Sequence, residues 1–360
     1  MTPLILGGGP AGSAAAIHLA RGGLRATILE RTREPADALC GGFLSWRTLE
    51  GLRAIGVDPD TLNPRAVTRL RLFAGDRVVE ARLPGAARGV SRATLDAVLI
   101  ARAAALGAGV ERGVTVRQLT GATLRLGDGA ELRNDCILLA TGKHELRGAT
   151  RDVPEADDPV LGLRVHLPAS RHIGDAIELH LFDGGYAGLV VQEDGRANLC
   201  MAVKRSRLQA AGDPMALLAV LAAAHPALAE RLDRIDPAAK IDAIANVPYG
   251  WRTGTTVPGR YRLGDQAAVI PSLAGEGMGI AIASGVAAAR AILSGASAAT
   301  FQHDFARQAA RPLAVAGLVR TLAERPATAG LLATLAHLPG AVGAVATLTR
   351  IKQSGVDDSP

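Results

Sequence analysis

Within its first thirty residues the chain sets glycines at a spacing that few backbones accept. An apolar run at residues 3–6 leads into Gly7-Gly8-Gly9-Pro10-Ala11-Gly12. The small-residue stretch from Ala11 to Arg21 reads as a helix closed by Gly22-Gly23, and ATILE (26–30) reads as a second strand. Strand, G-x-G-x-x-G, helix and strand in this order make a βαβ unit suited to a dinucleotide diphosphate. Gly7 permits the tight turn, Gly9 lets the backbone approach the diphosphate, and Gly12 lets the helix pack close to the strand. Pro10 and Ala11 open the helix, whose N-terminus presents unpaired N–H groups and partial positive charge. Glu30 lies 18 positions after Gly12, at the end of the second strand, with Arg31 next to it. A carboxylate there accepts hydrogen bonds from an adenosine ribose.

The rest of the chain reads as a nucleotide domain interrupted by an inserted sheet. A helix is expected around 46–54, strand alternation over 67–83, a helix over 91–107, and two short strands around Gly121. DCILLATG (135–142) is a continuous apolar strand of the buried parallel kind. Past Pro159, the segments 160–167, 176–182, 187–193 and 197–203 read as strands separated by Gly and Asp turns, followed by helices at 213–224 and 226–233. YRLGD (261–265) returns to a short strand, Gly279–Leu293 is a helix of small residues, and 301–352 reads as wholly helical. The expected fold class is α/β: a Rossmann-like domain with an inserted, mostly antiparallel sheet and a C-terminal helical segment. The boundaries drawn are 1–158 (nucleotide domain, first part), 159–258 (substrate sheet and helices), 259–300 (nucleotide domain, return) and 301–360 (helical segment).

Composition removes several classes of function. The net charge is +6, yet no block of five basic residues occurs and aromatics are 3%, so a nucleic-acid surface is not supported. Three cysteines without a CxxC pair argue against a disulfide framework or a zinc site, and no other metal-ligand spacing occurs. The opening shows no basic leader or cleavage site. These features set the expectation of a cytoplasmic protein in a reducing compartment. From Pro326 to Leu348 no charged residue occurs, but His337, Pro339, Gly340 and Gly343 interrupt the run. Two short packed helices are expected there, with peripheral contact to the inner face of a membrane as the alternative.

The opening ILGGGPAGSAAAIHLARGGLRATILER resembles the two-dinucleotide-binding-domain flavoproteins, and more narrowly their aromatic-hydroxylase (PHBH-like) and geranylgeranyl-reductase branch. A second signature, YRLGDQAAVIPSLAGEGMGIAIASG (261–285), and a third, SRATLDAVL (91–99), resemble the same branch. The resemblance implies FAD. Gly264 and Asp265 would meet its ribitol, and Arg92 its phosphate or ribityl region. Val116 would give the backbone contact to adenine. Pro271, Gly275, Gly277, Met278 and Gly279 would flank the pyrimidine end of the flavin. There a helix N-terminus favours the negative charge that develops on reduction. Cys40-Gly41-Gly42 resembles the Cys-Gly element that lies over the isoalloxazine in the reductases, and makes Cys40 a candidate for tuning flavin or substrate.

Tyr186 matches a tyrosine that faces substrate in the reductases, but their Trp-x-Phe-Pro continuation is replaced by Gly188, Val190 and Val191. The Trp-x-Trp and lysine of flavin halogenases are missing as well. Thr141-Gly142 stands where the hydroxylases carry Asp-Gly, which puts direct use of NAD(P)H in question; Lys143 and His144 offer phosphate-binding charge in its place. The electron donor is therefore NAD(P)H or another reductant. The first functional expectation is an FAD-dependent monooxygenase hydroxylating an apolar aromatic, phenolic or polyketide-derived small molecule. The alternative is a flavin-dependent reductase saturating an isoprenoid or other alkene. A flavin-loaded electron carrier or partner-binding protein is the third. The sequence sets no oligomeric state.

Overall fold

The computed structural model describes residues 2–168, 172–338 and 340–353. The chain opens with β1 (Leu4–Leu6), α1 (Pro10–Arg21) and β2 (Thr27–Glu30). It continues through β3 (Phe43–Leu44), α2 (Trp46–Ala54), β4 (Val67–Ala74), β5 (Arg77–Gly89) and α3 (Arg92–Ala105). Five short strands follow: β6 (Gly109–Arg112), β7 (Val116–Thr120), β8 (Thr123–Leu126), β9 (Glu131–Arg133) and β10 (Ile137–Leu139). Next come β11 (Val160–Leu167), β12 (Ala176–Phe182), β13 (Gly185–Val191) and β14 (Ala197–Lys204). The chain then forms α4 (Arg205–Ala211), α5 (Pro214–Ala224), α6 (Pro226–Leu232) and β15 (Asp242–Ile244). It ends with β16 (Arg260–Arg262), α7 (Gly277–Leu293), α8 (Ala298–Ala323), α9 (Pro326–Ala336) and α10 (Ala341–Leu348).

One sheet has the order β16-β10-β1-β2-β6, and all its pairings are parallel. Its central strands β1 and β10 are continuous apolar triplets because the sheet is covered on both faces. The small residues of α1 let α7 approach closely: a Cβ at Gly285 would lie 2.2 Å from the Ala11 carbonyl oxygen. The second sheet has eight strands in the order β15-β11-β14-β13-β12-β4-β5-β3 and is antiparallel except for β12 against β4. The β4–β5 hairpin thus joins this sheet from across the boundary drawn at 158/159. A small sheet, β7-β8-β9, lies beside the first.

The helical C-terminus binds the two layers together. Phe301, Phe305 and Leu313 of α8 enter the core under the parallel sheet, while Ala323, Ala329 and Ala333 pack on Leu72, Leu181 and Tyr186 of the large sheet. The stretch read as wholly helical is three helices, broken at Glu324-Arg325 and again before Gly340, and residues 350–353 run on without helical structure. Pro326 takes the first position of α9, where a missing N–H costs nothing. Pro339 and the last seven residues, 354–360, lie outside the described residues. No single helix among them is long and apolar enough to cross a membrane; only α9 and α10 together reach that length, bent by 111°.

Candidate functional site

The N-terminus of α1 is left free for a ligand. Ser45 caps α2 and Ser91 caps α3 through their side chains, but α1 starts at Gly9 and Pro10 with no side-chain cap. A phosphate is the natural substitute. At Gly7 the backbone has φ +106°, and a Cβ would lie 2.5 Å from the Ala140 carbonyl oxygen, so the turn admits only glycine. Glu30 accepts from the Gly8 N–H at 2.8 Å and from the Thr32 N–H at 2.9 Å. Burial alone would raise its pKa, but these hydrogen bonds outweigh it and hold the carboxyl below its usual value. The Val114 N–H donates to the Glu30 carbonyl at 3.0 Å, so the approach to Val116 runs beside the end of β2.

The cleft continues into a cavity of about 410 Å³. On its cofactor side it is lined by Gly9, Pro10, Ala11, Cys40, Gly41, Gly42, Arg92, Gly142, Gly264, Asp265, Gly275, Gly277 and Met278, all singled out in the sequence. At Gly41, Gly142 and Gly277 an added Cβ would meet no atom within 4 Å. Bare backbone from three separate segments thus faces one space, the form of cradle that an extended dinucleotide fits. Gly7, Gly12, Glu30, Arg31, Val116, Thr141, Pro271 and Gly279 do not line this cavity. Gly7, Gly12 and Glu30 shape the turn behind it. Thr141 turns its hydroxyl onto the His144 carbonyl oxygen at 2.9 Å. Arg31 bonds to His144 Nε2 at 2.7 Å.

Two cations face the cleft. Arg92 is held by Asp96 at 2.6 and 2.8 Å. Burial disfavours its charge, yet Asp96 more than compensates and raises its pKa. Lys143 Nζ lies 3.1 Å from Asp265 Oδ2, and Asp265 raises the lysine's pKa in turn. The charge assigned to Lys143 on sequence thus sits in the cofactor cleft itself. His144 is held neutral-leaning by burial and by Arg31 and Lys143.

The Cys40 loop is fixed from the large sheet. Arg164 on β11 donates to the Asp37 and Ala38 carbonyl oxygens at 2.8 and 3.0 Å and pairs with the Asp37 carboxylate at 2.7 Å. Asn198 Nδ2 donates to the Cys40 carbonyl at 2.9 Å. Cys40 thus reaches the cavity as part of a braced loop, with half-buried Cys200 on the same wall and its thiol pushed up to about 12 by desolvation.

Beyond the cofactor side the cavity turns apolar. Leu70, Leu72, Leu179, Leu181, Leu332 and Leu335 line it, with α9 and α10 as its roof. Its polar spot is a chain of hydroxyls. Tyr186 lies 2.7 Å from Ser272 Oγ, Ser272 lies 2.8 Å from the Tyr249 hydroxyl, and the Leu273 N–H donates to Tyr186 at 3.0 Å. Burial holds the Tyr186 phenol well above its usual pKa and pushes Tyr249 up to about 12, so both stay protonated. Sequence reasoning found Tyr186 but not Ser272 or Tyr249. It also passed over Glu276, fully buried between Gly275 and Gly277, although a carboxylate in that small-residue turn was a visible signal. Among the described residues no cluster of His, Cys, Asp or Glu is arranged to hold a metal.

Residues 1–125 match the family described as an FAD binding domain. The cleft and this match define the class, a flavoprotein that binds FAD. The chain is similar to members of the FAD-dependent oxidoreductase branch that includes monooxygenases and geranylgeranyl reductases. It is 28% identical over 235 residues to digeranylgeranylglycerophospholipid reductase 2 of Methanopyrus kandleri, a match covering 60% of this chain and 57% of that protein. The fold is similar to that of a geranylgeranyl bacteriochlorophyll reductase-like protein of Thermoplasma acidophilum: TM-score 0.76, 20% identity, 96% of this chain and 95% of that one. It is similar too to the flavin-dependent brominase Bmp2, with TM-score 0.80, 15% identity, and 96% and 92% covered.

Proposed function

We propose that the protein is an FAD-dependent oxidoreductase that saturates a carbon–carbon double bond in a long apolar molecule, an isoprenoid or another alkene. The observation that carries this reading is the continuity of the cavity, from the glycine-lined cleft into a chamber walled by leucines. The relative from Methanopyrus kandleri, named for reducing an isoprenoid lipid, supports it. FAD, when bound, supplies the two-electron chemistry. The chain's own residues do the rest. The uncapped start of α1 binds the diphosphate, Arg92 and Lys143 add positive charge along the cleft, and the first turn of α7 faces the ring. The roof of α9 and α10 keeps water from the chamber. Tyr186 accepts from Leu273 and so gives its own hydrogen to Ser272. Ser272 gives its hydrogen to Tyr249, which leaves the Tyr249 hydrogen for a ligand.

NAD(P)H or another reductant is the donor in this reading. Leu318, Leu331 and Leu338 are 62%, 54% and 56% exposed on α8, α9 and the turn that follows it, beside the cavity-lining Leu335. This apolar rim is the face we assign to contact with a lipid surface, from which the substrate enters.

Hydroxylation of a phenolic substrate is the second reading, favoured by the hydroxyl chain, which suits a phenol oxygen. One experiment separates the two. Geranylgeraniol is incubated with dithionite-reduced protein without oxygen, and the products are weighed by mass spectrometry. Reduction adds two hydrogens per bond, with two electrons from the cofactor and two protons from the medium. No anaerobic product, together with oxygen-dependent gain of one oxygen atom on alkylphenols, overturns the first reading in favour of the second.

A further inference from the structure

Glu276 precedes the first residue of α7, is fully buried and lines the cavity. Its Oε2 accepts from Ser45 Oγ at 2.9 Å and lies 3.1 Å from Arg350 Nε. Its Oε1 is buried with no hydrogen-bond partner. Arg350 comes from the tail after α10. It lies over the Trp46 ring at 4.9 Å, donates to the Ala274 carbonyl at 2.6 Å, and also lines the cavity. The tail stays on this spot: Gln353 Nε2 donates to the Gly279 carbonyl at 3.1 Å. A buried ion pair is costly and is weak evidence for stability, so its place at the end of a ligand-facing helix calls for another account.

We propose that Glu276 and Arg350 are a positioning pair that sets the electrostatic potential at the flavin-facing end of α7, and with it the ease with which bound FAD is reduced. This rests on the reading that the flavin lies against the turn at Pro271–Gly279. Reduction places negative charge on the ring, and the N-terminus of α7 favours that charge. With both partners ionised, the pair adds little net charge to the helix end. Loss of the carboxylate alone leaves an uncompensated cation, which favours the reduced form. Loss of the guanidinium alone leaves a carboxylate that opposes reduction when ionised and has no effect when protonated. Desolvation, only partly offset by Arg350 and then by the Ser45 hydrogen bond, raises Glu276 to about 7. The other cation bearing on it is Arg47 of α2, which is paired with Glu50 at 2.8 Å.

The test uses the full FAD-loaded protein and reads the midpoint potential of its flavin by anaerobic dye equilibration at about pH 6 and about pH 9, either side of the Glu276 titration. E276Q shifts the potential upward at about pH 9. R350Q shifts it downward at about pH 9 and much less at about pH 6. The double variant returns near wild type, and R350K, which keeps the charge, holds the wild-type value. Yellow E276Q or R350Q with the wild-type potential overturns the proposal, as does R350K shifted as far as R350Q. Should E276Q shed FAD, the pH contrast of R350Q decides. A wild-type protein that takes up no FAD sinks the placement of the flavin and the pair with it; a yellow protein with insensitive potentials sinks the pair alone.

Discussion

Gly12 and Gly9 should answer the same substitution in different ways. A Cβ at Gly12 would lie 2.0 Å from the Gly7 carbonyl oxygen and 2.9 Å from Ile5 Cγ2, so Gly12→Ala forces α1 off β1. The expected loss is about 1–3 kcal/mol of stability in apo protein, together with loss of FAD. At Gly9 the Cβ meets only the flexible end of Arg92, at 3.0 Å, and Asp96 beyond. Gly9→Ala should leave the apo melt within about 0.5 kcal/mol while weakening FAD roughly tenfold or more, because the methyl stands where the diphosphate approaches. Flavin fluorescence titration measures this; wild-type affinity in Gly9→Ala would show that the diphosphate does not pass over that residue. Glu178, on the far face of the large sheet, is fully buried between Arg231 at 2.8 and 2.9 Å and Arg71 at 2.6 Å. Burial alone would raise its pKa, but His180 and Arg231 bring it down to about 2. A depressed carboxyl contributes stability above its unfolded value, near 4.5, and loses it as pH falls toward about 2. Glu178→Gln should cost roughly 3 kcal/mol at neutral pH by removing the buried carboxylate from Arg231, which keeps only the exposed Glu230, and from the partly exposed Arg71. Urea melts of wild type and variant should therefore converge as pH falls through that window; a gap unchanged at low pH would discount the charge.

At the scale of elements, the strands from Val160 to Lys204 were legible because Gly and Asp turns punctuate apolar runs, and β1–α1–β2 because its glycines admit one geometry. The partner of the β4–β5 hairpin was not legible. Its alternation marks strands but not which sheet they join, and β4 pairs in parallel with β12, about a hundred residues on. Helix α4 was missed because RSRLQAA carries no apolar period and buries no side chain. The Glu276–Arg350 contact escaped for another reason: it joins residues 74 positions apart through a tail with no periodic signal. The roof likewise reads as apolar in sequence without showing which leucines face in. Leu332 lines the cavity, whereas Leu331 and Leu338 are more than half exposed. Replacing Leu331 and Leu338 together by Ser should therefore spare the fold and reduce co-sedimentation with liposomes of anionic phospholipid at least several-fold. Equal sedimentation of variant and wild type would remove α9 from the lipid contact.

At the scale of the whole molecule, the two larger sheets share one cavity, and a main link between them is Arg164. This guanidinium, on the large sheet and 5% exposed, bonds the backbone of the Cys40 loop and pairs with Asp37 and Asp242 at 2.7 and 2.5 Å. Asp37 in turn accepts from the Arg92 N–H at 2.9 Å, at the start of α3 in the cofactor domain. A ligand that orders this loop thus stabilises both layers at once. FAD at a hundred times its dissociation constant should add about 2.7 kcal/mol to the folded state, and stripping it should lower the melting temperature of the entire chain in one transition. Arg164→Met keeps much of the volume but removes the anchors and takes the shared cation from the partly exposed Asp37 and Asp242, at a cost of roughly 1–3 kcal/mol. The loop then keeps only the Asn198 bond to the Cys40 carbonyl as its side-chain tie to the sheet, so the variant should melt in two calorimetric steps, with FAD raising chiefly the step that belongs to the parallel-sheet domain. A single FAD-sensitive transition in Arg164→Met would mean that α8, with Phe301 in one core and Ala323 in the other, carries the coupling instead.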